Sequence, residues 1–190
     1  SLCDWSSDVC SSDLTKFSNA GQMCVAPDFI LVKNSVKQIF LDEVLKVIRQ
    51  FFGEDASQSY NYGKMINSIQ FDRVKNYLGQ GKIIYGGKTD RDTLYIEPTI
   101  LVDMPIGSPV MNEEIFGPVL PVIGFNDIAE AKAIIDRHPN PLAFYVYTSS
   151  SRKEKEWLQA VPSGGACVNN SSWHLTNHHL PFGEIGRAHV

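Results

Sequence analysis

At 190 residues, the chain is long enough for one domain, or at most two, with a core of its own. Hydrophobic residues make up 43% and charged residues 20%, and the net charge of -4 has no basic run that would suit nucleic acid or an anionic membrane. The longest apolar runs fall far short of a spanning helix, and the first residues lack the basic start and apolar core of a secretion signal, so a cytoplasmic location is expected.

The two ends read differently from the middle. Asp8-Val9-Cys10-Ser11-Ser12-Asp13-Leu14 can be encoded by a DNA whose reverse complement encodes Glu184-Ile185-Gly186-Arg187-Ala188-His189-Val190. An inverted repeat of this kind resembles a sequencing-library adapter translated at both edges of an insert. Residues 1–14 and 184–190 are therefore expected to be an artefactual leader and tail, set aside as fusion scars are. That leaves 15–183 as one domain. Cys3 and Cys10 fall in the leader, and the other two cysteines, Cys24 and Cys167, form no disulfide framework and read as free thiols in a reducing compartment.

The first organised stretch is Phe17 to Pro27, small and amide residues around Cys24 with Gly21 and Ala20 leaving room for a substrate carbon. On residue type alone, Cys24 reads as a buried small hydrophobe or as a nucleophile. Asp28 to Lys33 is a contiguous apolar strand, which predicts burial on both faces. Ser35 is placed to cap a helix with Val36, Ile39, Phe40, Val44, Val47, Ile48 and Phe51 on one face and Gly53 past its end. A polar loop runs from Gly53 to Asn67, a second amphipathic helix from Ile69 to Leu78, and a short strand from Lys82 to Tyr85. Gly86-Gly87 then reads as a turn and not as a phosphate cradle.

Leu94 to Met104 is extended and broken by Pro98, and Val119 to Phe125 is a strand. Asp127 with Glu130 makes a capping box for a helix from Ile128 to Arg137. A strand from Leu142 to Thr148, a helix opened by Ser151 with Glu154 and running through Leu158, and a strand from Gly164 to Asn170 complete the pattern. Strand and helix alternating at this spacing predict an α/β fold, a largely parallel sheet covered by helices.

Three other groups of residues stand out. His174, His178 and His179 are close in sequence, but no helical pattern or acidic residue accompanies them and Pro181 follows, so no metal site is expected. Glu113 and Glu114 are neighbouring carboxylates whose side chains point apart in a strand or turn, so one of them is expected to face a site. Arg152 to Glu156 is read as a solvated helix face, and Cys167 as structural.

Phe17-Ser18-Asn19-Ala20-Gly21-Gln22-Met23-Cys24-Val25-Ala26-Pro27 resembles the nucleophile segment of the aldehyde dehydrogenase superfamily. Glu113-Glu114-Ile115-Phe116-Gly117-Pro118-Val119 resembles the same family's second motif, about ninety residues on, and His179-Leu180-Pro181-Phe182-Gly183 the start of a third. The wording is closest to the dimeric fatty- and aromatic-aldehyde branch. The resemblance implies that Cys24 attacks an aldehyde carbon to give a thiohemiacetal, with its own backbone N–H as a donor to the oxyanion. Loss of hydride to NAD or NADP then leaves a thioester, which water hydrolyses to a carboxylic acid. It further implies that Glu114 accepts hydrogen bonds from the nicotinamide ribose and that Phe116 packs beside ribose and ring.

In that family the dinucleotide domain, the glutamate that activates water and the asparagine of the oxyanion hole precede the nucleophile segment. NAD or NADP is thus expected to be held mainly outside this chain. The isolated chain is expected to oxidise no aldehyde at a useful rate, and its full-length parent to be a homodimer. Two alternatives remain open at this point: a cysteine acyltransferase or thioesterase without redox chemistry, and a non-catalytic structural or interaction domain.

Overall fold

The strands that read as unbroken apolar runs are the ones whose two faces are both covered. The computed structural model describes residues 2–3 and 15–183. Its main sheet comprises β1 (Leu2–Cys3), β2 (Ile30–Lys33), β3 (Lys82–Tyr85), β6 (Thr99–Val102), β7 (Val119–Phe125), β8 (Ala143–Tyr147) and β9 (Gly165–Val168), in the order β3-β6-β7-β2-β1-β8-β9. Every neighbour pair is parallel except β3 with β6. A separate hairpin joins β4 (Thr89–Asp90) to β5 (Tyr95–Ile96). β7 pairs with β6 through Val119, Leu120 and Pro121 and with β2 from Val122 to Phe125, so it ties the two halves of the sheet together.

Leu2 and Cys3 lie in register with Leu31 and Val32 on one side and with Val146 and Tyr147 on the other. Two residues of the expected leader thus occupy a central slot of the sheet. The remainder of that leader, and the tail from 184, lie outside the described residues.

Alternation along the strands sends side chains to two layers. Ile30, Val32, Tyr145 and Tyr147 face helix α1 (Lys37–Phe52), together with Ile100, Val102, Leu120 and Val122. Leu31, Phe144 and Val146 face the opposite layer, made by α4 (Ile128–Ile135) and α5 (Ser151–Ala160). Leu101 and Val119 meet α2 (Ser68–Tyr77) and the single turn α3 (Pro109–Asn112).

The helix ends refine the sequence reading. Asn67 caps α2 by accepting from the Gln70 N–H at 2.9 Å. Asp127 caps α4 by accepting from the Glu130 N–H at 3.0 Å, and Glu130 reaches back to the Asn126 N–H at 2.8 Å. Ser35 does not cap α1. A 3-10 turn, Asn34–Val36, leads directly into it, and the stripe that results buries Phe40, Leu41, Val44, Val47, Ile48 and Phe52. Ile39, expected on that face, is a 100° helical step away from Phe40 and half exposed. Phe51 is half exposed too, because Phe52 takes the buried place and packs edge-on against Tyr62 at 5.0 Å. The α5 cap is Ser150, one residue earlier than expected, accepting from Lys153 N–H.

Candidate active site

Met23 to Ala26 is a β-turn closed by the Ala26 N–H on the Met23 carbonyl at 3.0 Å, with Cys24 at its first corner. The turn's own hydrogen bond leaves the Cys24 amide uncommitted within the turn. The Cys24 thiol is exposed, so the reading as a buried small hydrophobe does not apply. Tyr145, from β8, donates from its hydroxyl to the Val25 carbonyl at 3.0 Å and steadies the turn from below.

The chain approaches this turn through an unusual backbone. Asn19, Ala20 and Gly21 have φ of 50°, 53° and 73°, in the left-handed region that ordinary residues avoid. Gln22 pins the result. Its amide nitrogen donates to the carbonyls of Asn19 and Lys64 at 2.9 and 3.0 Å, and its amide oxygen accepts from the Ile66 N–H at 2.9 Å.

The second motif docks directly on this segment. A Cβ at Gly21 would lie 2.2 Å from the Gly117 carbonyl oxygen, so only glycine permits that approach. Asp28 accepts from the Ile115 N–H at 2.9 Å. From α2, Arg73 donates to the carbonyls of Glu114 and Ile115 at 3.1 and 2.8 Å and fixes the loop from its other side.

The two glutamates diverge as their adjacency implies. The Glu113 carboxylate accepts from the Tyr77 hydroxyl at 2.6 Å, and burial together with this bond pushes the Tyr77 phenol up to about 12. Glu113 and Glu114 are both exposed at the edge of a cleft of about 490 Å³ that Cys24, Asp28, Phe29, His138 and Tyr145 also line. Phe116 is 38% exposed with φ 45° on the same loop but does not line the cleft. Cys24 and Glu114 thus line one cleft, and Phe116 stands outside it on the same loop as Glu114.

Lys16 carries no signal in the sequence, and the structure makes it a wholly buried cation whose Nζ has no hydrogen-bond partner. Burial pushes its ammonium down to about 8, against the opposing pull of the Asp28 and Glu114 carboxylates. His138 was equally unforeseen: it follows α4 and reaches the cleft because Pro139 and Pro141 turn the chain there. The His174 Nδ1 lies 3.4 Å from the Cys167 Sγ, and His178 and His179 are exposed. No group of three or more metal-ligating side chains occurs among the described residues.

An exposed thiol on a pinned turn, with an uncommitted amide beside it and an exposed carboxylate lining the same cleft, is an arrangement that can attack a carbonyl compound. The profile of the family described as "Aldehyde dehydrogenase family" matches residues 3–188. The dimeric NADP-preferring aldehyde dehydrogenase of Bos taurus is 43% identical over 171 residues, 90% of this chain and 72% of that sequence. Its Rattus norvegicus counterpart is 42% identical over 173 residues, 91% of this chain. This chain spans 38% of the length of that relative. A solved structure of Staphylococcus aureus AldH in a substrate-bound state superposes with a TM-score of 0.92 at 35% identity, over 97% of this chain and 42% of its own.

Proposed function

The chain belongs to the aldehyde dehydrogenase family, and on that footing we propose that it carries the covalent half of an aldehyde-to-acid oxidation, with Cys24 as nucleophile. The observation that supports this most directly is the exposed Cys24 at the corner of a turn that Gln22, Tyr145 and Gly21 hold in place, at the edge of the cleft it shares with Glu114.

In this reading the Cys24 sulfur forms a bond to the carbonyl carbon and the oxygen becomes an alkoxide facing the Cys24 amide. A bound nicotinamide dinucleotide, NAD+ or NADP+, supplies the hydride acceptor that brings this adduct to the acyl level. The residues present suit such a group. Glu114 is an exposed carboxylate at the edge of the cleft and offers an acceptor to a ribose diol. Phe116 is an exposed flat wall on the same loop. Hydrolysis of the thioester returns the thiol and releases the carboxylic acid. The protein that contains this chain is proposed to act on a small aldehyde as a cytoplasmic homodimer, on the strength of the dimeric relatives. Among the described residues no helix is long and apolar enough to cross a membrane.

A cofactor-free assay tests the nucleophile. The chain is treated at neutral pH with iodoacetamide, or with p-nitrophenyl acetate as an acyl donor, and the Cys24 adduct is followed by peptide mass. Faster labelling in the folded chain than in urea is the expected result; equal rates would remove Cys24 from the mechanism. A second reading, thiol acyl transfer without oxidation, draws on His138 in the same cleft. The two separate when the chain is expressed joined to the sequence that precedes Thr15 in its source gene: aldehyde-dependent reduction of NAD(P)+ supports the first, and ester turnover without it the second. Reading the source DNA across Thr15 and Gly183 tests the further proposal that 1–14 and 184–190 derive from adapter sequence.

A further inference from the structure

Cys167 stands on β9, the strand at one edge of the sheet, in register with Tyr145 of β8. Its thiol is half-buried, and its sulfur lies 3.4 Å from Nδ1 of His174, part of a 3-10 turn (Trp173–Thr176) that folds back over the strand. The imidazole has little freedom. A Cβ at residue 165 would meet its Cδ2 at 2.5 Å, so the ring lies directly on the Gly165 backbone, and its other neighbour is the Tyr145 ring, 6.0 Å between centroids. Nε2 is buried with no hydrogen-bond partner. Packing therefore fixes the ring, and the one bond the structure gives it is to sulfur.

We infer that Cys167 and His174 form a second reactive thiol site, distinct from Cys24, that takes small Michael acceptors of the α,β-unsaturated carbonyl class. The reaction balances without an oxidant. The sulfur lone pair forms a bond to the β-carbon, the C=C pair moves to give an enolate, and the thiol proton passes to Nδ1 of His174. It is returned through water to the α-carbon, which leaves a saturated thioether and a free imidazole. A thiol that only ionises to bulk water needs to reach its own pKa, whereas one with a fixed base gives up its proton as the bond forms. Burial holds the His174 imidazolium below its usual range, so the ring is neutral and able to accept at pH 7. The half-buried sulfur selects small electrophiles over bulky ones.

The test uses the full chain and acrolein as probe, with borohydride to fix the adducts and peptide mass spectrometry to follow Cys167. At pH 7 the Cys167 adduct is expected to form at least roughly a hundredfold faster in the folded chain than in the urea-unfolded chain, the low end of what a positioned base supplies. Between pH 7 and pH 6 the folded rate is expected to fall by much less than tenfold, while an unfolded thiol loses about tenfold per unit. The His174→Gln variant is expected to lose both effects at Cys167 and to leave labelling of Cys24 unchanged. The inference is overturned by a folded rate equal to the unfolded one, by a Cys167 adduct that appears only on unfolding, or by His174→Gln reacting as fast as the parent. The folded-against-unfolded pH comparison decides the matter even where that variant folds poorly.

Discussion

Residues 17–28 and the helix α1 that follows them are held by different forces. Along α1, Phe40, Val44 and Ile48 repeat at the helical period and bury against β2 and β7, so local propensity and burial favour the same conformation. The nucleophile segment has no such agreement. Three successive residues adopt left-handed backbone, about 1 kcal/mol each for a residue with a side chain, and the segment stays in that shape because distant groups impose it. Those groups are the Gly117 carbonyl, the Lys64 carbonyl, the Ile66 and Ile115 amides and the Tyr145 hydroxyl. The helix is made by its sequence; the loop is made by the rest of the fold, as a site that must present a thiol in one geometry requires.

The contrast is broken hardest at Gly21. Gly21→Ala puts a methyl into the Gly117 carbonyl at a φ of 73°, and a loss of about 4 kcal/mol in urea unfolding is expected, with Cys24 labelling falling to the unfolded rate. Gly53→Ala is the control. Its φ of 78° is similar, but nothing lies within 4 Å of the added carbon, so about 2 kcal/mol and normal Cys24 labelling are expected. A cavity under α1 sharpens the other half of the comparison: Ile48→Ala is expected to cost about 3 kcal/mol while Cys24 labels at the parent's rate. A change in that rate would mean that helix and loop are one unit.

The same division explains what could be read from the sequence. The strands Ile30–Lys33 and Val119–Phe125, the helix around Phe40 to Ile48 and the Asp127 cap followed from apolar period and capping chemistry, since both are local. Ile39, Phe51 and the Ser35 cap were misplaced because the 3-10 turn before α1 and the Phe52–Tyr62 contact settle the helix's phase, and neither has a local signature. At the site, Cys24 and Glu114 were put forward by motif resemblance, and both line the cleft. Lys16, Gln22's clamp, Arg73 and His138 were not, because each acts through a partner at least forty residues away or through burial itself.

Lys16 gives that hidden part a pH signature. Its folded pKa of about 8 lies below the ordinary 10.5, so between these values the unfolded chain binds more protons and stability rises with pH. The gain from pH 7 to pH 10 is at most about 2.5 kcal/mol. Tyr77 and Tyr145, both pushed up to about 12, act in the opposite sense: their contribution is present below pH 10 and lost above it. Urea unfolding of the parent is therefore expected to show a stability maximum near pH 10. Lys16→Met, which replaces an unpaired buried cation by an apolar chain of similar length, is expected to raise stability at pH 7 and to flatten the rise. A rise that survives in the variant would place its origin elsewhere.

The smallest effect in free energy separates the two regions most directly. Gln22 makes three hydrogen bonds to backbone groups of Asn19, Lys64 and Ile66, all at the exposed surface, where water replaces a lost partner at little cost. Gln22→Ala is therefore expected to lower stability by only about 1 kcal/mol, less than any change discussed above. Its effect on Cys24 is expected to be out of proportion to that figure. The amide is the strut that ties the left-handed stretch to the loop at 64–66, and without it the turn at Met23 samples other conformations while the sheet and α1 remain intact. Iodoacetamide labelling of Cys24 should then approach the unfolded rate in a chain that still unfolds cooperatively. If Gln22→Ala labels as the parent does, the turn is held by Tyr145 and Gly21 alone, and the strut has no part in presenting the thiol.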